Sequence, residues 1–299
     1  MIYTLTLNPS LDYIMKPGSV KIGSVNRSAG EEISFGGKGI NVSAVLQELG
    51  VESVALGFAA GFTGEELLAM LNRRGIRHDF IRLPSGLTRV NVKLVGEDVT
   101  EINGAGPEIT EADMKALHKR LSRLEKGDTL VLAGSIPPSL PQNTYESILC
   151  LLDGREIRVV VDATDSLLTS TLRHHPFLIK PNLDELSHIA GAPLVTDEDV
   201  VREAKALQEK GAVNVMVSLG GDGAILLDEN GKVHKRRAFK GVARNTVGAG
   251  DSAVAGFLAG VKNGYDHALL LACAAGGATA FSDSLATREE ISKLIGEEI

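Results

Sequence analysis

The chain has 299 residues, 31 Lys+Arg against 38 Asp+Glu and a net charge of −7. That is length enough for a sizeable core in one large or two small domains, with no global basic field for nonspecific nucleic-acid binding. Its 43% hydrophobic and 23% charged residues exclude disorder, collagen and coiled coil, and its 33 glycines, about one residue in nine against a usual ~7%, fit tight turns and backbone that approaches a ligand closely.

Met1 to Leu7 is apolar with a strand's alternation and lacks the basic start of a signal peptide, so Ile2–Leu7 is the first predicted strand. Residues 12–34 alternate polar and apolar side chains without a helical period and read as strands outside the main sheet. Val42, Val45, Leu46 and Leu49 then give a helix one core-facing stripe, closed by Gly50. Ser53–Phe58 is the next predicted strand, and residues 89–103 repeat the alternation of 12–34. Thr110 to Asp113 has the pattern of a capping box and opens a helix with Met114, Leu117, Leu121 and Leu124 on its apolar face. Strands are predicted at Thr129–Ala133, Val159–Asp162 and Phe177–Ile179, a second capped helix from Thr196, and further strands at Val213–Leu219 and Ala224–Asp228. Residues 268–282 are apolar but interrupted by Gly276 and Gly277, short of the ~20 residues of a membrane span, and predict a buried helix. Thr287 caps the last one.

Strands alternating with helices specify βαβ units. The expected fold is therefore α/β, a doubly wound, mainly parallel sheet with helices on both faces, and residues 12–34 and 89–103 form a small β lid. No linker or repeat divides residues 1–299, which predicts one domain with the lid as its accessory. Cys150 and Cys273 make no disulfide framework, which places the chain in a reducing cytoplasm, with no membrane and no nucleic acid among its partners.

Ligands of such sheets bind outside the carboxyl ends of the strands. The predicted strands exit there into Asn8, Gly134 and Ser135, Lys180 to Asn182, and Gly220 to Gly223. The strongest motif is Asn245 to Asp251, in which Gly248, Ala249 and Gly250 precede an apolar helix, Ser252–Val261. Small residues before a helix let backbone N–H groups converge on an anion where the helix dipole is positive. A carboxylate there repels the ligand unless it is a base or an N-cap, and Asp251 is either. The same segment fits the loose dinucleotide pattern Gly248 to Ala253, which brings in a nicotinamide oxidoreductase as a rival, but no apolar strand precedes it and no acid-tipped strand follows. In Gly36, Gly37, Lys38 and Asn41 the glycines permit close approach, the lysine supplies a cation and the amide suits sugar hydroxyls. Glycine follows Lys38, so this is no Walker A. Arg27 and Arg89 on the lid suit an anionic substrate, and Asp12 suits a diol.

Together the two glycine motifs resemble the N-terminal and C-terminal signatures of the ribokinase-like sugar kinases of the phosphofructokinase B family, and the resemblance runs from end to end. Thr6 to Pro9 with Asp12, Val25 to Arg27, Thr88 to Asn91 and Thr100 to Gly104 are similar to the members that phosphorylate ketose phosphates, fructose 1-phosphate first and tagatose 6-phosphate or fructose 6-phosphate next. The resemblance implies ATP-dependent transfer with Asp251 as general base and the amides of Gly248, Ala249 and Gly250 as anion hole. It implies sugar contacts from Asp12, Gly36, Gly37, Lys38, Asn41 and Ser135, and phosphate contacts from Arg27, Lys38 and Arg89. Lys180, Asn182, Ser218, Gly220, Gly221, Asp222, Gly223 and Gly250 would border the nucleotide, Ala274 to Ala278 would line the adenine pocket, and Glu185 would support Mg2+ through water. Many members carry Asp where Asn245 stands and use it for an activating K+, which puts that ion in question here. A homodimer through the lid is also implied. A noncatalytic sensor on this fold would lack the base, and Asp251 is present.

Overall fold

A computed structural model describes residues 1–96 and 99–296; residues 97, 98 and 297–299, which fall within the expected lid and domain, lie outside the described residues. Strand β1 (Ile2–Thr6) leads straight into β2 (Ser10–Gly18) and β3 (Glu31–Gly36), which leave the main sheet before α1 (Lys38–Glu48) returns to it. Next come β4 (Ser53–Ala60), α2 (Gly61–Arg74) and β5 (His78–Leu83). The chain then departs again through β6 (Arg89–Gly96) and β7 (Val99–Asn103) and re-enters with α3 (Glu111–Leu121) and β8 (Thr129–Ala133). Helix α4 (Thr144–Leu152), β9 (Arg158–Asp162), α5 (Asp165–Thr169), β10 (Leu178–Ile179), α6 (Leu183–Ala190), α7 (Asp197–Glu209) and β11 (Asn214–Ser218) continue the alternation. The hairpin β12 (Ala224–Leu227) and β13 (Val233–Arg236) precedes α8 (Ala249–Gly260), α9 (Tyr265–Phe281) and α10 (Arg288–Ile295).

The main sheet has nine strands in the order β13-β12-β11-β10-β9-β8-β1-β4-β5. All pairs from β11 to β5 are parallel, as the alternation predicts, while β12 and β13 are antiparallel. Only residues 219–223 separate β11 from β12, too few for a crossover helix, so the chain turns back on itself. Side chains alternate between two cores. Leu130 and Leu132 pack with α3, α4, α6 and α7, whereas Val131 and Ala133 pack with α1, α8, α9 and α10. Strand β5, His78–Leu83, is absent from the sequence expectation because its polar residues obscure the pattern at this half-exposed sheet edge.

The helix starts follow their caps. Thr110, Thr196 and Thr287 each accept the N3 amide, and the acid at N3 returns to the N-cap amide. Residues 10–18, 31–36, 89–96 and 99–103 make a second sheet in the order β3-β2-β6-β7, with β2 and β6 parallel. Among the described residues no helix is long and apolar enough to cross a membrane.

Helices α8 and α9 cross at closest approach where Gly256 faces the Leu271 carbonyl, so that a Cβ at Gly256 would overlap that oxygen. Gly256→Ala is expected to destabilise the fold by about 1–3 kcal/mol through overpacking, read as a lower urea midpoint with an unchanged slope.

Candidate active site

The chain leaves β1 toward β4 and β5 on one side and later returns to β8 on the other, so the sheet order reverses between β1 and β8. The carboxyl ends of strands at such a reversal leave a crevice. Here it is a cleft of about 250 Å3 lined by Thr6 from β1, Lys38 from α1, Arg89 from the second sheet, and Gly134, Ser135 and Thr164 beyond β8 and β9. Gly37 shapes its floor: φ is +129°, and a Cβ would lie 2.8 Å from the Thr6 side chain. Thr6 Oγ1 in turn accepts the Ile40 amide in the first turn of α1.

Asp251 lies in the first turn of α8, 4% exposed. The N-cap is Gly248, in the left-handed region at φ +82°, so the N-cap alternative for Asp251 falls away. Asn41 Nδ2 donates to Asp251 Oδ2 at 2.8 Å, so the amide expected to meet the sugar also orients the carboxylate. The amides of Gly248, Gly250 and Asp251 have no acceptor in the described protein, whereas Ala249 N–H, expected in the same anion hole, bonds to Thr246 O at 3.2 Å. Burial pushes the Asp251 carboxyl up to about 7, the Asp162 carboxylate adds to the rise, and Lys38, Asn41 and Lys180 oppose it.

Asp162 is the residue that sequence reasoning missed. It stands at the tip of β9, 2% exposed, with Lys180 Nζ at 3.3 Å from Oδ1 and Lys38 Nζ at 3.4 Å from Oδ2. Burial alone would raise its carboxyl, but the two ammoniums, Lys180 foremost, outweigh that and hold it low. Lys38 is held above its usual value, because Asp162, Asp251 and Glu185 outweigh its burial. The sequence signal was a carboxylate directly after three valines, Val159 to Val161, at a strand's carboxyl end. It reads as the close of a strand until the two lysines are seen to converge on it.

Lys180, 5% exposed, reaches α8 as well: a Cβ at Gly250 would lie 3.1 Å from its Nζ. The Asn182 backbone bridges to Ser218, which joins those two expected nucleotide-side residues beyond β10 and β11. Glu185 Oε2 closes a capping box on the Asn182 amide, so Oε1 keeps free acceptor capacity beside the basic cluster. Gly220 to Asp222 form a single exposed turn and Gly223 packs under residues 236–238. Of the small residues expected in an adenine pocket, Gly276 packs against Ala249 O of α8 and Gly277 faces Phe239 and Phe281.

On the second sheet, Asp12 accepts from Ser10 Oγ and Asn91 Nδ2 and pairs with Lys93. Gly36 has no room for a Cβ because the Asp12 carboxylate lies 2.5 Å from where one would stand. Arg89 Nε donates to Asn8 O at 3.1 Å at the cleft wall. Arg27 is not brought to this cleft; it lies on the exposed loop between β2 and β3.

An open parallel sheet with a buried carboxylate beside free helix amides and two converging lysines suits phosphoryl transfer, which asks the protein mainly for positioning and electrostatics. The chain belongs to the pfkB family carbohydrate kinases, whose model matches residues 6–291, and is an ATP-dependent sugar kinase that works with a divalent metal ion. A 1-phosphofructokinase of Bacillus subtilis is 45% identical over 99% of this chain and 98% of its own length. A D-tagatose-1-phosphate kinase of Bacillus licheniformis is 34% identical over 98% of this chain and 96% of its own. The crystal structure of a putative phosphofructokinase from Staphylococcus aureus superposes with a TM-score of 0.88 at 43% identity, covering 99% of this chain and 97% of that one.

The raised Asp251 pKa sets two pH dependences of opposite sign. A base must be ionised, so kcat/KM is expected to rise with pH through about 7. Between the ordinary carboxylate value of 3.8 and about 7 the folded state holds a proton the unfolded state has lost, so the Asp251 contribution to stability falls as pH rises through that window. Asp251→Asn should therefore melt higher than the parent at pH 8, by roughly 2–4 °C or more, and the gap should close toward pH 5. Melting curves of both proteins across that range test it.

Proposed function

We propose that this chain transfers the γ-phosphoryl group of ATP to fructose 1-phosphate, giving fructose 1,6-bisphosphate and ADP. The observation that carries the reading is Asp251, buried and held by Asn41 beside the acceptor-free amides of Gly248, Gly250 and Asp251. A free sugar hydroxyl attacks the γ-phosphorus, the bond to the β-phosphate oxygen breaks, and Asp251 takes the hydroxyl proton. The α8 amides and Lys180 meet charge on the transferring group. Kinship with proteins named for fructose 1-phosphate and tagatose 1-phosphate supports a ketose 1-phosphate as acceptor. The basic residues facing the cleft, Lys38 and Arg89, suit its existing phosphate.

The donor set fits Mg2+. Among the described residues no three acids, histidines or cysteines form a cage, and Mg2+ keeps its waters and binds through one or two carboxylates plus nucleotide phosphates. Glu185, through Oε1, is the residue for that role, and the ion would neutralise charge between the β- and γ-phosphates. Asn182, Ser218 and the turn from Gly220 to Gly223 would border the nucleotide. Asp12, Gly36, Gly37 and Ser135 would border the sugar, with the second sheet as a lid that excludes water, since water competes with the sugar for the phosphoryl group.

A homodimer through this lid is the second part of the proposal. Ile33, Val90 and Ile102, on the lid face opposite Asp12, are 50%, 36% and 61% exposed, and a sheet face this apolar is a docking surface. A second copy suits it because closed twofold pairing is the commonest assembly and the charged Glu31 on the same face is held by a hydrogen bond from Tyr13. Ile102→Asp should shift the protein to a monomer by light scattering; a wild type that is already monomeric would remove the dimer.

The catalytic reading is tested by ADP release with Mg-ATP and fructose 1-phosphate, tagatose 1-phosphate, tagatose 6-phosphate, fructose 6-phosphate and fructose. Fructose 1-phosphate should have the highest kcat/KM, and Asp251→Asn should lower its kcat at least ~100-fold. A lead for a 6-phosphate would move the assignment to tagatose-6-phosphate kinase or 6-phosphofructokinase, and near-normal turnover in Asp251→Asn would remove the base.

A further inference from the structure

Strands β2 and β6 run parallel, with Ser10 opposite Arg89, Asp12 opposite Asn91 and Ile14 opposite Lys93. Alternation puts Arg89, Asn91 and Lys93 on one face of β6, the face that meets the Asp12 carboxylate. Lys93 Nζ stands 2.8 Å from Asp12 Oδ2, and Oδ1 accepts from Ser10 Oγ at 2.7 Å and Asn91 Nδ2 at 3.2 Å. Both partners of the ion pair are largely buried, the Lys93 side chain 14% exposed and that of Asp12 12%. Each Asp12 oxygen thus has a partner in its own chain. Asn91 Oδ1, buried beside it, has none, so the cluster is not closed on itself.

Of the other cations, Lys38 and Arg89 line the cleft, Lys38 while paired with Asp162. Lys38 and Lys180 share Asp162, and Arg27 lies on an exposed loop. Arg89 lines the cleft and feels the Asp12 charge. A sugar phosphate brings nearly two negative charges at neutral pH, and an unpaired Asp12, near enough to act on the charge of Arg89, would repel it. A buried ion pair is by itself weak support for the fold, so the placement of a lysine here calls for another reason.

Building on the sugar-phosphate reading above, we infer that Lys93 is a specificity-determining residue for a phosphorylated acceptor. It neutralises Asp12 in the free protein, and it turns to the substrate's phosphate when sugar hydroxyls take its place on Asp12. Lys93 and Arg89, two positions apart on one strand, then form a two-cation grip on the lid, and the exchange couples recognition of the diol to recognition of the phosphate.

The test uses the full-length protein, Lys93→Gln and Lys93→Arg, with whichever phosphorylated ketose the wild type turns over best, so that a different preferred sugar overturns the substrate reading and leaves this inference to be judged separately. Lys93→Gln should raise KM about tenfold or more with kcat within about threefold, and Lys93→Arg should recover most of the loss. Inorganic phosphate should inhibit Lys93→Gln about tenfold more weakly than wild type, while inhibition by unphosphorylated fructose, freed of competition from Lys93 for Asp12, is as strong or stronger. An equal loss for phosphate and fructose would make Lys93 a prop for the lid, and an unchanged KM would remove it from recognition; either overturns the inference. Asp12→Asn guards against a misfolded Lys93→Gln: it breaks the same pair and should weaken fructose more than phosphate, and the reverse order also overturns the inference.

Discussion

Two buried carboxylates within reach of each other's field are the constraint on which this site is built. Asp162 and Asp251 cannot both be comfortably ionised in a dry setting. The conflict is resolved unequally, since Asp162 takes both lysines and stays charged while Asp251 receives an amide hydrogen bond and is pushed up to about 7. Two carboxyls with separated pKa values then coexist at the carboxyl edge of the sheet, and the one near 7 has the proton affinity suited to a base at neutral pH. Removing Asp162 would take from Lys180, 5% exposed, and from Lys38 their shared ion-pair partner, so both lysines depend on a carboxylate outside both glycine motifs.

The fold meets that constraint through its topology. Reversal of strand order between β1 and β8 brings the ends of β1, β8 and β9 together, so that Thr6, Gly134 and Thr164 surround one crevice though far apart in the chain. The second sheet grows out of the same edge twice, after β1 and after β5, so its two halves are fixed to the rim of the cleft. That ties the position of the second sheet to the geometry of the cleft.

How much of this the sequence discloses depends on whether the signal is local. Capping boxes at Thr110, Thr196 and Thr287 are read within a few residues and form as their pattern predicts. The glycines at Gly36 and Gly37 lead into α1, whereas α8 starts at Ala249 rather than at the expected Ser252, so the small residues read as its approach form its first turn. Strand β5 is obscured by His78, Asp79 and Arg82 at a half-exposed edge, and the antiparallel β12 and β13 depend on a loop too short to cross over. Ion pairs are the least legible, because Asp162 with Lys38 spans 124 positions and no local pattern encodes such a meeting. Asn41 illustrates the intermediate case: its neighbourhood is evident from the glycines, yet its partner, Asp251, is known only once α1 and α8 are packed together.

The same distinction bears on the lid. An arginine in an exposed loop and one at a cleft wall look alike in sequence, and Arg27 and Arg89 differ only in where the second sheet carries them. Lys93 stands two residues beyond Asn91 in a stretch whose alternation is evident, and it meets the Asp12 carboxylate only because β2 runs parallel to β6. A parallel pair inside a small accessory sheet is uncommon without a crossover helix; here the main-sheet elements α1, β4, α2 and β5 serve as the crossover. The charge pattern on the second sheet is therefore a consequence of the core's winding, because the elements that separate β2 from β6 in the chain are those that bring Asn91 and Lys93 beside Asp12.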